Sequence, residues 1–289
     1  MCSRAAHPAN YPAMSTAKTA LVTGSTDGLG RAVARALASR GYRLWLHGRN
    51  EERGRALTEE ITAQGGEARF VRADLASLSE VRQLAAALRG QPRLELLINN
   101  AGIGPTTPGV SGRELSAEGL ELRFAVNYLS GFLLTRLLLP LLEHSAPARI
   151  INVASGAQYP LDFDNLMLER AYSGMRAYAQ SKLAQILFTV DLAEQLRGRG
   201  VTVNCLHPAT YMDTAMVRDM GVAPVNSIAS GEAAVVRLAC DETLAQTTGC
   251  FFNGLELATA HPQAYDPMAR QRLTEVSERL AGIAADGRV

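Results

Sequence analysis

At 289 residues, with 47% hydrophobic and 20% charged residues, the chain has the composition of a globular protein with room for a large core. A net charge of +1 excludes the basic field that a nucleic-acid binder needs. The four cysteines, Cys2, Cys205, Cys240 and Cys250, show neither metal-ligand spacing nor a disulfide framework, so no metal site is expected and a reduced, cytoplasmic setting is.

Residues 1–17 hold two prolines and no apolar stretch of signal-peptide length, which predicts a flexible tail before one domain at 18–289. KTALVTG is a short apolar run closed by glycine, a buried strand entering a turn. The turn is Gly24-Ser25-Thr26-Asp27-Gly28-Leu29-Gly30, and the helix RAVARALASR follows. Three glycines between a buried strand and a helix N-terminus let the backbone approach a diphosphate. Their Gly-x-x-x-Gly-x-Gly spacing differs from Gly-x-Gly-x-x-Gly, so the flanking elements carry the nucleotide reading.

The second strand, YRLWLH, ends at Gly48-Arg49. A dinucleotide fold selects its ribose here. An acid would grip a free 2′-hydroxyl, whereas Arg favours a 2′-phosphate. Asp27 argues the other way unless it caps the next helix. The third strand, ARFVRADL, leads to Asp74 and Leu75; Asp74 either holds an adenine or caps the helix SLSEVRQLAAALR. The fourth strand, LELLINNAG, closes on Asn100, Ala101 and Gly102.

SAEGLELRFAVNYLSGFLLTRLLLPLLEH reads as one long helix with the polar Asn127 in its apolar middle. Its most apolar part carries Arg136 and Pro140 and is too short to span a bilayer, so no membrane span is expected. A fifth strand, ARIINVAS, ends at Ser155. After a loop at about 157–176 comes the helix AYAQSKLAQILFTVDLAEQL. Tyr178 and Lys182 lie four apart on one of its faces, a poised phenol beside a cation. Of 29 basic residues only Lys18 and Lys182 are lysine, so Lys182 stands where Arg would not serve. A sixth strand, VTVNCLHP, precedes Pro208, Ala209 and Thr210 and a mixed segment at about 209–230; GCFFNG reads as the last strand and DPMARQRLTEVSERLAG as the closing helix. Alternating strands and helices predict an α/β doubly wound parallel sheet of about seven strands.

In this order, TGSTDGLG, NNAG, Asn127, Ser155 and Tyr178-x-x-x-Lys182 resemble the short-chain dehydrogenase/reductase family over nearly the whole chain. RIINVAS, the helix around Tyr178 and the tail from TTGCFFNG are most similar to its retinol dehydrogenase-like and WW-domain-oxidoreductase-like branch. The resemblance implies reversible hydride transfer between a nicotinamide cofactor and a ketone or aldehyde, with Tyr178 as acid/base and Ser155 on the same oxygen. Lys182 would lower the phenol's pKa and hold the ribose, and Asn127 would hold a relay water. Gly24 through Gly30, Arg49, Asp74, Leu75, Asn100, Ala101, Gly102, Tyr178, Lys182, Pro208, Ala209 and Thr210 would line the cofactor, NADP(H) in preference to NAD(H). The interval from Ser155 to Tyr178 is longer than the family's usual one, and Ala209 replaces a usual glycine. Leu161, Phe163, Tyr211, Met212 and Met216 would join Ser155 and Tyr178 around a bulky apolar carbonyl or alcohol, as in a tailoring ketoreductase. A nucleotide-binding regulator and an epimerase or dehydratase share such folds and are the alternatives.

Apolar residues on more than one face of the two long helices (Phe132, Leu133, Leu137, Leu138; Leu183, Ile186, Phe188) predict a homodimer or homotetramer.

Overall fold

The computed structural model describes residues 17–107, 109–110 and 112–283, so the expected N-terminal tail lies, but for its last residue, outside the described residues. In chain order the elements are β1 (Thr19–Val22), α1 (Gly28–Ala38), β2 (Arg43–Gly48), α2 (Glu51–Ala63), β3 (Ala68–Arg72), α3 (Leu78–Arg89) and β4 (Leu96–Asn99). Then follow α4 (Ser130–His144), β5 (Ala148–Val153), α5 (Gly174–Gln195), β6 (Val201–His207), α6 (Ala215–Asp219), α7 (Ile228–Cys240), β7 (Phe251–Asn253), β8 (Glu256–Ala258) and α8 (Pro267–Ala281).

The strands form one sheet ordered β3-β2-β1-β4-β5-β6-β7-β8. All neighbours run parallel except β8, which turns back antiparallel on β7. The sheet thus has eight strands where the sequence predicted about seven. β8 is three residues long, with Glu256 and Leu257 exposed, and offers no apolar run to read. The order reverses between β1 and β4, which opens a crevice at the strands' carboxyl ends. β1 is buried along its whole length, and β4 likewise, because helices cover both faces. One face packs Val33, Leu37, Leu57 and Val235. The other packs Leu84, Phe132, Leu133, Leu187 and Leu273.

Two helix predictions change. SAEGLEL is not helical: Leu115 bridges to Glu121 across a turn at Gly119, where φ is +76°. The Glu121 carboxylate accepts the Phe124 N–H at 2.7 Å and starts the helix there. A π-helical turn, Phe124–Leu129, then runs into α4. Together Phe124–His144 is long and apolar enough to cross a membrane by length and composition, contrary to the expectation from the shorter run. Most of it is buried in the fold.

The apolar residues assigned to a partner subunit are covered within the chain. Phe132, Leu133, Leu138, Leu183 and Ile186 are fully buried, and Leu137 and Phe188 nearly so. α8 supplies part of that cover. Arg270 makes two 3.0 Å bonds to Glu194, and the Tyr128 and Ser277 hydroxyls meet at 2.7 Å. The surplus apolar face that motivated a homodimer or homotetramer is therefore absent from these two helices.

Candidate active site

The glycine turn is held by close packing rather than by composition alone. A Cβ on Gly30 would overlap the Gly24 carbonyl oxygen, so α1 starts pressed against the turn. The Asn100 side-chain amide donates to the Thr23 and Gly24 carbonyls at 2.8 and 3.3 Å, bracing the turn from β4. The Asp27 carboxylate caps α1 by accepting the Gly28 N–H at 2.7 Å. Its other oxygen pairs with Arg53 at 2.7 Å, so its charge is matched. Sequence reasoning missed Arg53; its place in the first turn of α2, after the Asn50 cap, was the available signal.

Gly48 is there because Thr26 packs against it, and any Cβ at 48 would run into the Thr26 side chain. The lack of an acid at the end of β2 thus has a steric reason. Arg49 follows, exposed to solvent. Asp74 stands after β3, its carboxylate accepting the Ala76 N–H at 3.0 Å, while Ser77 is the residue that caps α3. Leu75 and Leu29 turn into the core, so only their backbones remain for a ligand.

Ser155 and Tyr178 come together at the far end of the crevice, where the Ser155 hydroxyl lies close enough to act on the phenol. The Lys182 ammonium lies 5.9 Å from the Tyr178 ring centre. It donates to the Val153 carbonyl at 2.8 Å and to Gln185 Oε1 at 2.9 Å. Gln185 was not anticipated, although its i+3 spacing from Lys182 placed it on the same helix face. A Cβ on Gly102 would fall 3.4 Å from Lys182 Nζ and 3.2 Å from Asn127 Oδ1. Glycines therefore stand at both ends of this crevice, at the α1 N-terminus and beside Lys182, where backbone is left open to a ligand such as a dinucleotide.

Burial pushes the Tyr178 phenol above its ordinary value of 10.0, and the neighbouring Ser155 hydroxyl partly offsets this. The expected depression by Lys182 is corrected for the free protein. Burial lowers Lys182 itself from 10.5 to about 7, so its charge is half lost near neutrality. The unfolded chain then binds a proton that the folded one refuses between those values, and stability rises with pH there. Protein free of cofactor is expected to gain on the order of 2 kcal/mol between pH 7 and 9, and Lys182→Met to lose that slope in denaturant titrations. Above pH 9 the buried Cys205 thiol, pushed up to about 12, pulls the other way.

Asn127 sits in the π-helical turn, a feature often found at functional sites. Its Oδ1 accepts the Ile103 N–H at 2.8 Å, and its amide donates to the Ile103 carbonyl and to Ser181 Oγ. The side chain fastens the β4 loop to α5 with both of its donors taken, so a relay water at Asn127 would be held through an acceptor, Oδ1 or the backbone carbonyl. Arg123, which sequence reasoning passed over, is buried in the same region. It pairs with Glu114 at 2.7 Å and bonds Tyr172 at 3.2 Å, tying the 104–114 loop to the 157–176 loop.

The predicted substrate residues divide. Leu161 is 4% exposed and belongs to the core, so the loop turns it inward, away from any pocket wall. Met212 fills the space beside Gly231 and is likewise packing. Phe163 lies under the Arg272 guanidinium and lines an open groove beside α8 that none of the four catalytic candidates touches. Met216 packs against Gly104 and Thr214 against Gly28, so the segment around α6 lies across the crevice. Tyr211 is exposed, with φ +45°. Pro208 and Ala209 lead to Thr210, whose hydroxyl meets His207 Nε2 at 3.0 Å.

The short chain dehydrogenase family model matches residues 18–223. The chain belongs to the short-chain dehydrogenase/reductase family. Human retinol dehydrogenase 13 is 37% identical, with 93% of this chain and 86% of the relative covered. Mouse retinol dehydrogenase 11 is 36% identical, with 93% and 88% covered. Among solved structures, an uncharacterised protein of Mycobacterium paratuberculosis superposes with a TM-score of 0.73 at 28% identity, covering 92% of this chain and 93% of that one. The Pseudomonas aeruginosa RhlG/NADP active-site complex does so with 0.66 at 29%, covering 84% and 97%. Short-chain dehydrogenases use NAD(P)(H), in keeping with the glycine-lined crevice.

Proposed function

We propose that this short-chain dehydrogenase is an NADP(H)-dependent carbonyl reductase or alcohol dehydrogenase acting on a bulky, mostly apolar small molecule. The observation that carries the reading is the joining of Tyr178, Ser155 and buried Lys182 at one end of a glycine-lined crevice. The cofactor, when bound, supplies or accepts the hydride. Tyr178 gives its hydroxyl proton to the oxygen of the reduced carbonyl, or takes one from an alcohol. Ser155 donates to the same oxygen and fixes its position. Lys182 in its charged form favours the phenolate left behind. Asn127 keeps the β4 loop and α5 in register, which maintains the distance between crevice and phenol. The retinol dehydrogenases among the relatives support an apolar alcohol or aldehyde as substrate, and the methionines around α6 suit such a ligand.

The NADP(H) preference rests on Arg49, on the steric exclusion of an acid at Gly48, and on Asp27 being paired with Arg53. RhlG was solved with NADP, which supports the same choice. Arg49→Ala is expected to weaken NADPH about ten- to hundredfold and to leave NADH nearly unchanged. Parallel fluorescence titrations with both cofactors check this; tighter NADH binding by wild type, or equal losses, would remove Arg49 as the selector.

A further inference from the structure

His47 is a histidine 2% exposed, on the inner side of β2, directly under the glycine turn. Its Nδ1 accepts the Gly24 N–H at 3.1 Å, and its Nε2 lies 3.1 Å from the Ala73 carbonyl oxygen. These partners fix the ring's form. A peptide N–H only donates, so Nδ1 carries no proton; a carbonyl only accepts, so Nε2 carries one. The backbone of His47 grips the turn as well. Its carbonyl accepts the Ser25 N–H at 2.9 Å, and its N–H donates to Ser25 Oγ at 2.9 Å. The Gly24 peptide matters because φ there is +65° and the start of α1 packs on its carbonyl.

We propose that His47 is a positioning residue for the cofactor: its neutral ring, protonated on Nε2, ties Gly24 of the dinucleotide-binding turn to Ala73 after β3. This rests on the reading that a nicotinamide dinucleotide binds at the turn. A charged ring would set a second N–H against that of Gly24, donor against donor, and the tie would break. The surroundings keep the ring neutral. Asp74, from the loop after β3, favours the charged form, and Arg49, at the end of β2, opposes it. The turn itself presents Thr23, Ser25 and Thr26, while Asp27 faces Gly28 and Arg53. Burial is the largest influence and, together with Arg49, outweighs the Ala73 carbonyl and Asp74, lowering the ring from 6.5 to about 4.

The test compares wild type with His47→Ala, which removes both bonds, and His47→Asn, whose amide oxygen can replace Nδ1 as the acceptor for Gly24. NADP⁺ and NAD⁺ are titrated by calorimetry at pH 8, with kcat measured at saturating cofactor. His47→Ala is expected to bind both nucleotides about tenfold more weakly with kcat nearly unchanged. His47→Asn should recover most of that loss. In parallel, ¹⁵N NMR of the free wild-type protein should show Nδ1 unprotonated and Nε2 protonated from pH 8 down to pH 5. The inference is overturned if His47→Ala binds as wild type does, if His47→Asn is no better than His47→Ala, or if the ring is protonated on Nδ1 or charged at pH 6. Should His47→Ala not fold, the Asn variant and the NMR titration still decide. Wild type that binds neither nucleotide would sink the cofactor reading instead, and the ring's protonation would still be read from the free protein.

Discussion

Tyr178→Phe is expected to abolish turnover while leaving NADPH affinity within about twofold of wild type. Phe keeps the ring that lies beside Lys182 and loses only the hydroxyl that faces Ser155. The proton donor disappears, the helix packing does not. Removing such an acid costs on the order of 10²–10⁴ in rate. Steady-state assays with a turned-over ketone or aldehyde, and cofactor titrations on the same preparation, separate the two effects. A variant with near wild-type kcat would refute the role of Tyr178, and one that fails to bind NADPH would make the phenol a structural group.

Gly30→Ala should weaken cofactor binding severely. The added Cβ would strike the Gly24 carbonyl oxygen and the Asn100 amide, and neither has room to retreat. Asn100 is held by its bonds to Thr23, and Gly24 lies against Ala101. Overpacking of this kind costs roughly 1–3 kcal/mol of stability. Displacement of the turn from the α1 N-terminus should cost roughly a hundredfold or more in affinity. Thermal melts with and without NADP⁺ check both parts. The variant should melt somewhat lower and show a much smaller shift with cofactor; a normal shift would mean that the turn is not where the diphosphate rests.

The fold and the candidate tetrad were legible because they follow local rules. Val22 and Ile98 end apolar runs at glycine or asparagine, as buried parallel strands do, and Tyr178 and Lys182 share a helix face by spacing alone. The illegible parts depend on partners distant in the chain. SAEGLEL has helical composition, yet Glu121 serves better as a cap for Phe124, and the π-helical turn that follows breaks the 3.6-residue pattern. Arg123 looks like any surface charge until Glu114 and Tyr172 close around it. The second apolar face of α5 suggested a partner subunit because nothing in its own segment reveals that α8, some 80 residues later, covers it. Leu161 and Met212 were assigned to substrate by loop position, and the loops turn them inward.

The central claim is hydride transfer between the bound nucleotide and a carbonyl carbon, with Tyr178 supplying the proton. The most direct measurement incubates the protein with NADPH deuterated at nicotinamide C4 and a panel of apolar ketones and aldehydes, retinaldehyde among them, and analyses the products by mass spectrometry. The account predicts NADPH consumption matched by an alcohol bearing deuterium on its carbinol carbon, in wild type and not in Tyr178→Phe. NADPH bound without consumption across the panel, or a product formed with no net consumption of the cofactor, would contradict it.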